Sequence, residues 1–204
     1  MRITPNGRIE CFAGNEVGDL DGYGVKAKFN GPSGIAIDSE DNIYVCDFHN
    51  KKVRKITPRG VVSTLAGNGL NEGRDGYGTN ASFSSPNAIT IDKENNLYVA
   101  DSQDCKIRKI SNGMVTTFAG SCEGYLDGPC LAAQFSYPAG IAFDGLGNLI
   151  VCDVRNNRIR RIGPEGKVTT IAGSKGGYLD GDQKEALFNW PLIVTVDPNS
   201  NLFY

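Results

Sequence analysis

The sequence has 204 residues, of which 40% are hydrophobic, and this length and composition suit one globular domain with a sizeable core. A formal net charge of −2 argues against a dedicated nucleic-acid-binding protein, because such proteins usually carry a basic excess. No apolar run approaches the roughly 20 residues of a membrane-spanning helix, and the first residues lack the apolar segment of a secretory signal.

One set of short motifs recurs four times along the chain. Each copy contains Ala-Gly, Asp-Gly, Phe, Pro and Asp in the same order, and the Ala-Gly pairs recur every 53 residues. Five landmarks in phase over four copies indicate an internal repeat that covers nearly the whole chain. We predict a single domain with complete units at about 29–82, 83–134 and 135–187, and partial units at about 1–28 and 188–204.

Each complete unit is predicted to contain four β-strands. In the first unit they lie at residues 34–38, 42–47, 52–57 and 61–66, and the turn before the fourth strand contains Gly60. The connections within a unit are short enough for antiparallel hairpins. Apolar residues of the third strand do not alternate strictly, and burial of both strand faces between neighbouring sheets would explain this. Four antiparallel strands per unit indicate an all-β fold made of propeller blades.

The repeated segment also resembles a known family. The pattern P-x-G-I-A-x-D-x-x-x-N-x-Y-V-x-D-x-x-N-x-x-x-R-x-I is similar to the NHL repeat of β-propeller proteins, in the variant with long connections between blades. The second and fourth units depart from it at Asn87-Ala88 and Leu192-Ile193. The resemblance implies a six-bladed parent ring, of which this chain would supply about three full blades and two partial ones. We therefore expect a fragment of a longer propeller, forming an open arc that self-associates through its end blades.

An Asp ends each predicted second strand, and an Arg follows seven residues later in the third strand. A buried Arg needs a carboxylate or carbonyl partner, and an Asp at this place can accept hydrogen bonds from the amides of the following turn. Because a function rarely needs the same residue in every blade, we interpret these pairs as structural residues that hold blades together. They are Asp47, Asp101, Asp153, Arg54, Arg108 and Arg160.

The loops between the second and third strands differ from unit to unit. They are expected on the same face as the long connections between units, and variable loops on a constant scaffold are good candidates for binding. The connection into the second complete unit is predicted to contain a turn of helix capped by Asp75, with Phe83 packed beneath it. The candidate binding residues on this face are His49, Lys51, Lys52, Gln103, Lys106, Arg155 and Arg158.

Metal and catalytic chemistry find little support in the sequence. Amidating lyases that resemble NHL propellers hold zinc with several histidines, whereas this chain has one, His49. The segment DLDGYG does not fit a calcium loop, because Val17 and Lys28 would fall at the first and last ligand positions. Cys46 and Cys152 are predicted to be small buried apolar residues. The sequence thus predicts no catalytic residue, no metal and no cofactor.

These observations favour a non-catalytic module that binds or scaffolds another protein through one propeller face. An RNA-binding face is one alternative, although no aromatic residue interleaves with the basic ones in the last two loops to stack bases. An enzyme similar to lactonase or lyase propellers is the other, and it would need a metal along the central channel. Cys122 and Cys130 could form a bridge in an extracellular protein, but the six cysteines otherwise show no pairing pattern. The lack of a pattern favours a reducing compartment such as the cytoplasm.

Overall fold

The computed structural model describes residues 1–197 and 202–203. These residues form mainly antiparallel sheets, of which three have five strands each. The first of these has the strand order β4-β9-β8-β7-β6, and β4 joins it from the preceding connection. The strands up to the end of this sheet are β1 (Arg2–Ile3), β2 (Ile9–Glu10), β3 (Glu16–Val17), β4 (Gly22–Tyr23), β5 (Lys28–Phe29), β6 (Pro32–Ile37), β7 (Ile43–Asp47), β8 (Lys52–Ile56) and β9 (Val61–Ala66).

The second and third five-stranded sheets repeat the same order, and a two-stranded sheet follows them. The second sheet contains β10 (Gly76–Tyr77), β11 (Pro86–Ile91), β12 (Leu97–Asp101), β13 (Lys106–Ser111) and β14 (Met114–Ala119). The third contains β15 (Gly128–Pro129), β16 (Pro138–Phe143), β17 (Leu149–Asp153), β18 (Arg158–Ile162) and β19 (Lys167–Ala172), before β20 (Thr195–Val196) and β21 (Leu202–Phe203). Short 3-10 helices span Gly24–Lys26, Gly78–Asn80, Ser102–Asp104 and Val154–Asn156.

The four predicted strands of each complete unit are confirmed, and the fourth strand of the first unit has the predicted bounds. Gly60 has φ +84°, as a turn glycine at this position requires. The predicted helical turn is also confirmed, at Gly78–Asn80, with Phe83 fully buried. The predicted cap was wrong. The Asp75 carboxylate accepts hydrogen bonds from Arg108 and Thr117 instead, and no side chain caps this short helix.

A β-bulge accompanies the irregular apolar pattern of the third and fourth strands. Val53 pairs with Ala66, but the next residue, Arg54, pairs with Thr64, so that Leu65 is skipped. The same shift occurs at the corresponding place in the other two sheets. Burial of both strand faces is therefore only part of the explanation, since the bulge also changes the pairing at the buried Arg.

The core lies between the sheets. Tyr44 and Cys46 of the first sheet pack in one cluster with Phe83, Ile89 and Val99 of the second unit. A corresponding cluster joins the second and third sheets. The first strand of the second unit, β11, also contacts the first strands of the other two units, β6 and β16. Each sheet thus buries a face against its neighbour, which is how propeller blades are stabilised.

Candidate binding face

A buried arginine lies at the centre of each complete unit. The Arg108 side chain is fully buried, and its Nη1 lies 3.3 Å from the Asp101 carboxylate. Its Nη2 lies 2.6 Å from Asp75 Oδ1, and Nη1 also donates to the carbonyl oxygen of Ser82 at 3.2 Å. The guanidinium stacks over the Phe83 ring. Arg54 and Arg160 make the equivalent contacts in the other two units, so one arginine joins the third strand to the second strand and to the connection.

The backbone partners of the repeated Asp differ from the prediction. Asp101 accepts hydrogen bonds from the amides of Ser84 and Ser85, at 2.9 and 2.6 Å, and these residues precede the first strand rather than follow the second. Asp47 and Asp153 bind the corresponding amides of Asn30 and Ser136, both at 2.7 Å. These amide partners belong to the unit of the Asp itself, whereas the Arg partners Asp75 and Ser82 lie in the connection before it. The Asp–Arg pair therefore fastens that connection to the blade that follows it.

The connection carboxylates are held in their charged form. The pKa of Asp75 lies below its ordinary value: partial burial opposes ionisation, but hydrogen bonds from the Thr117 amide and the Arg108 guanidinium outweigh it. The same balance lowers the pKa of Asp21 and Asp127. Each buried arginine consequently faces an ionised partner at neutral pH.

The variable loops and the long connections meet at one end of the blades. Asn50 Nδ2 donates to the carbonyl oxygen of Gly18 at 2.8 Å, and Asn156 Nδ2 donates to that of Gly124 at the same distance. In the middle unit, Gly73 lies beside the Asp104 side chain. The predicted common face is therefore present. We define the loop face as residues 48–52, 102–106 and 154–158 together with the contacting connection residues 18–19, 71–73 and 123–125.

Carboxylates pair with two of the candidate lysines in the loops that connect the second and third strands. Lys52 Nζ lies 2.5 Å from the Asp19 carboxylate, and Lys106 Nζ lies 3.1 Å from that of Asp104. These pairs reduce the positive potential of the loop face. Lys51 lies in the left-handed region, with φ +55°, and its side chain makes no hydrogen bond or ion pair within the described residues.

In the third unit, arginines cover tyrosine rings that sequence reasoning missed. The Arg158 guanidinium lies 3.7 Å from the centre of the Tyr125 ring, and that of Arg155 lies 5.0 Å from the centre of the Tyr137 ring. Arg155 Nη1 is also 3.6 Å from the Glu123 carboxylate. The expectation that no aromatic residue accompanies these basic side chains was wrong, because the tyrosines come from the connection and from the segment before the first strand.

The remaining candidates stand apart from one another. His49 is exposed and contacts the Phe48 ring edge to face, with 5.0 Å between ring centres, and Gln103 is also exposed. Arg155 occupies the same position in the third unit. Within the described residues, no hydrogen bond or ion pair joins candidates from different loops. The loop face therefore presents His, Gln and Arg at equivalent positions of a constant frame and does not gather them into one cluster.

The described residues contain no group of three or more His, Cys, Asp or Glu side chains arranged to hold a metal ion. All six cysteines are free thiols, including the exposed Cys122 and the buried Cys130. Cys46 and Cys152 are fully buried, as predicted, and burial raises the pKa of Cys152 to about 12, so its reactive thiolate is scarce at neutral pH. None of the helices in the described residues has the length and apolar content needed to cross a membrane.

Comparison with known proteins gives the same repeat. A family model described as the NHL repeat matches residues 29–56 and 135–162, which include the Asp and Arg of two units. NHL repeat-containing protein 2 from Homo sapiens is 30% identical over 189 residues, covering 83% of this chain and 26% of that protein. The chain belongs to the NHL-repeat family. It spans about a quarter of the length of the curated relatives that it matches first.

Solved structures support the propeller architecture of this NHL-repeat chain. A structural genomics protein of unknown function from Bacteroides thetaiotaomicron is 25% identical, with a TM-score of 0.67, over 80% of this chain and 41% of that one. Virginiamycin B lyase from Staphylococcus aureus is 17% identical, with a TM-score of 0.58, over 84% of this chain and 47% of the lyase. The predicted all-β propeller of four-stranded antiparallel blades is thus confirmed, and partial coverage fits a segment of a larger propeller.

Proposed function

We propose that the chain is a non-catalytic module that binds another protein through its loop face. The observation that carries this proposal is the contrast at equivalent positions: the buried Arg and Asp are the same in three units, whereas the exposed residues are His49, Gln103 and Arg155. A scaffold that keeps its frame and varies its exposed loops is typical of a recognition surface.

The composition of the loop face favours a protein partner over RNA. Arginine and tyrosine are enriched at protein interfaces, and the third unit presents both in stacked pairs, Arg155 with Tyr137 and Arg158 with Tyr125. A ring face covered by a guanidinium is not open to a stacking base. Lysines paired with carboxylates also contribute less to phosphate binding than free ones.

An enzymatic role has weaker support. The similarity to virginiamycin B lyase is at 17% identity and bears on the fold alone. The one histidine of the chain lies exposed in a loop, and no candidate from another loop contacts it within the described residues. Binding by the loop face requires no such convergence, because an interface can use separate contacts distributed over its area.

Site-specific cross-linking tests the proposal. A photoreactive amino acid at Gln103 should cross-link to protein in a cell extract, whereas the same group at Lys93, in the exposed turn between the first and second strands, should not. The adducts should persist at 0.5 M salt and disappear when His49 and Arg155 are replaced by Ala. Binding of a 20-nucleotide RNA with steep salt dependence, and no protein adduct, would contradict the proposal and favour the RNA-binding alternative.

A further inference from the structure

The first residue of each third strand carries a positive charge. Lys52, Lys106 and Arg158 each pair in register with the repeated Asp at the end of the second strand, so they occupy equivalent positions on the loop face. In the first two complete units a carboxylate lies beside this charge. Asp19 is 2.5 Å from Lys52 Nζ, and Asp104 is 3.1 Å from Lys106 Nζ. In these two units the charge therefore already has its partner within the chain.

The third unit lacks a carboxylate at this place. Its connection aligns with that of the first unit through one shared bond, in which a loop Asn donates to the carbonyl oxygen of Gly18 or of Gly124. Tyr125 therefore stands where Asp19 stands in the first unit. Arg158 forms no ion pair within the described residues, and its Nε is buried without a hydrogen-bond partner. Its Nη1 donates to one backbone carbonyl at 2.7 Å, so the guanidinium keeps unused N–H donors.

Tyrosine rings orient the two guanidinium groups of this loop. The Arg158 guanidinium lies 3.7 Å from the centre of the Tyr125 ring, and the Tyr125 hydroxyl shares a hydrogen bond of 3.2 Å with Thr170, which fixes the ring. Arg155 lies 5.0 Å from the centre of the Tyr137 ring. A stacked guanidinium loses less conformational freedom when it binds than a free side chain does.

Glu123 is only a partial partner for the second arginine. Its carboxylate lies 3.6 Å from Arg155 Nη1, which is beyond hydrogen-bond distance, and it accepts the Ser136 hydroxyl at 2.7 Å instead. Both side chains of this ion pair are more than half exposed, so water weakens their attraction. Arg155 thus adds a second guanidinium without a hydrogen-bonded carboxylate to the loop that carries Arg158.

We propose that the Arg155–Arg158 loop binds carboxylate side chains in an acidic segment of the protein partner. This inference rests on the proposed function and names the chemistry of its partner. The planar fork of a guanidinium matches a carboxylate, and a partner's Asp or Glu would take the place beside Arg158 that Asp19 takes beside Lys52. RNA fits less well, because Glu123 would repel the denser charge of a phosphate backbone and the covered rings offer bases no face for stacking.

An NMR titration of the full chain tests the proposal. The probe is a synthetic hexaglutamate peptide with blocked ends, and hexaglutamine is its uncharged control. The backbone amides of residues 154–158 and the buried Arg158 Nε–H group report on binding. Hexaglutamate should shift these signals saturably, and hexaglutamine should not. Arg158→Lys keeps the charge but loses the planar fork, so it should bind hexaglutamate about tenfold more weakly.

Tyr125 supplies the matched pair of variants. Tyr125→Asp restores the carboxylate of the first unit, which should pair with Arg158 and abolish saturable binding. Tyr125→Phe keeps the ring and should bind as the unsubstituted chain does, as should Arg161→Met, which changes an exposed residue of the same strand. Equal binding of hexaglutamate by the unsubstituted chain, Arg158→Lys and Tyr125→Asp would overturn the proposal. Tighter binding of an oligouridine RNA at the same signals would also overturn it.

The cross-linking experiment with the photoreactive group at position 103 separates this inference from the proposed function. Tyr125→Asp and Arg158→Lys should each weaken the adduct. An adduct of full strength in both variants would overturn the acidic contact and leave binding by the loop face in place. The opposite result is hexaglutamate binding that Tyr125→Asp abolishes, with no adduct in the unsubstituted chain. It would support the carboxylate site and contradict the proposed function.

Discussion

Two sets of residues recur at equivalent positions in the complete units: the buried frame, which is the repeated Asp–Arg pair with its connection Asp, and the loop face. The frame residues are the same in each unit, whereas the exposed loop residues differ. Arg54, Arg108 and Arg160 are fully buried with equivalent partners. Each supplies several hydrogen-bond donors from one planar guanidinium group. At the loop positions the side chains change, and local neighbours satisfy each of them differently. In the first complete unit Lys52 pairs with Asp19, whereas at the equivalent position of the third unit Arg158 stacks on the Tyr125 ring. Because the buried Arg and Asp find their hydrogen-bond and charge partners away from the exposed loop positions, the residues at those positions can vary.

The largest expected effect comes from breaking the frame beside an exposed control. Arg160→Met should lower the free energy of unfolding by about 3–5 kcal/mol, because it leaves buried Asp153 without its charge partner. Arg161→Met, at the next position but exposed, should change stability by less than about 0.5 kcal/mol. Urea unfolding of the two variants measures both. Similar stability for Arg160→Met and Arg161→Met would mean that the buried arginine is not a stabilising part of the frame.

The contact between the first strands gives a smaller effect. A Cβ at Gly34 would lie 2.7 Å from the Ala88 Cα and the Asn87 carbonyl oxygen, which are backbone atoms that cannot move aside cheaply. Gly34→Ala should therefore cost about 1–3 kcal/mol. Thermal unfolding measures the loss. A loss below about 0.5 kcal/mol would contradict this close approach of the two first strands.

The connection carboxylates predict a modest dependence on pH. The pKa of Asp75 is lowered in the folded state, so its contribution is fully present above its unfolded pKa of about 3.9 and is lost progressively as pH falls from there through its lower folded pKa. Because half of the side chain is exposed, the contribution should be at most about 1 kcal/mol. Asp75→Asn should thus be less stable than wild type at pH 6, and the gap between them should narrow as pH falls below about 3.9. Urea midpoints across this range measure the difference, and a constant gap would be the contrary result.

The parts of this structure that repeat locally were predictable from the sequence, and the contacts between distant segments were not. Hairpin lengths, turn glycines and apolar runs predict the strands of each unit, since these depend on neighbouring residues. The amides that donate hydrogen bonds to Asp101 lie some 16 residues before it, and the rings beneath Arg155 and Arg158 lie in other segments. Such pairings follow from the way the connection folds back on its blade. The wrong prediction of a cap at Asp75 has the same origin, because its partner Arg108 is 33 residues away.

We propose that the buried frame carries stability while the loop face carries recognition. Paired measurements on two variants, both with the photoreactive group at position 103, separate these roles: Asp101→Ala, and the double change of His49 and Arg155 to Ala. Asp101→Ala should lose about 1–3 kcal/mol of unfolding free energy in urea, because the Ser84 and Ser85 amides and Arg108 lose their acceptor. Its folded fraction should keep the partner cross-linking at the loop face. The double variant should unfold within about 0.5 kcal/mol of the unsubstituted protein and lose the cross-linking. An Asp101→Ala protein of unchanged stability that had lost cross-linking, or a double variant that was strongly destabilised, would contradict this division of roles.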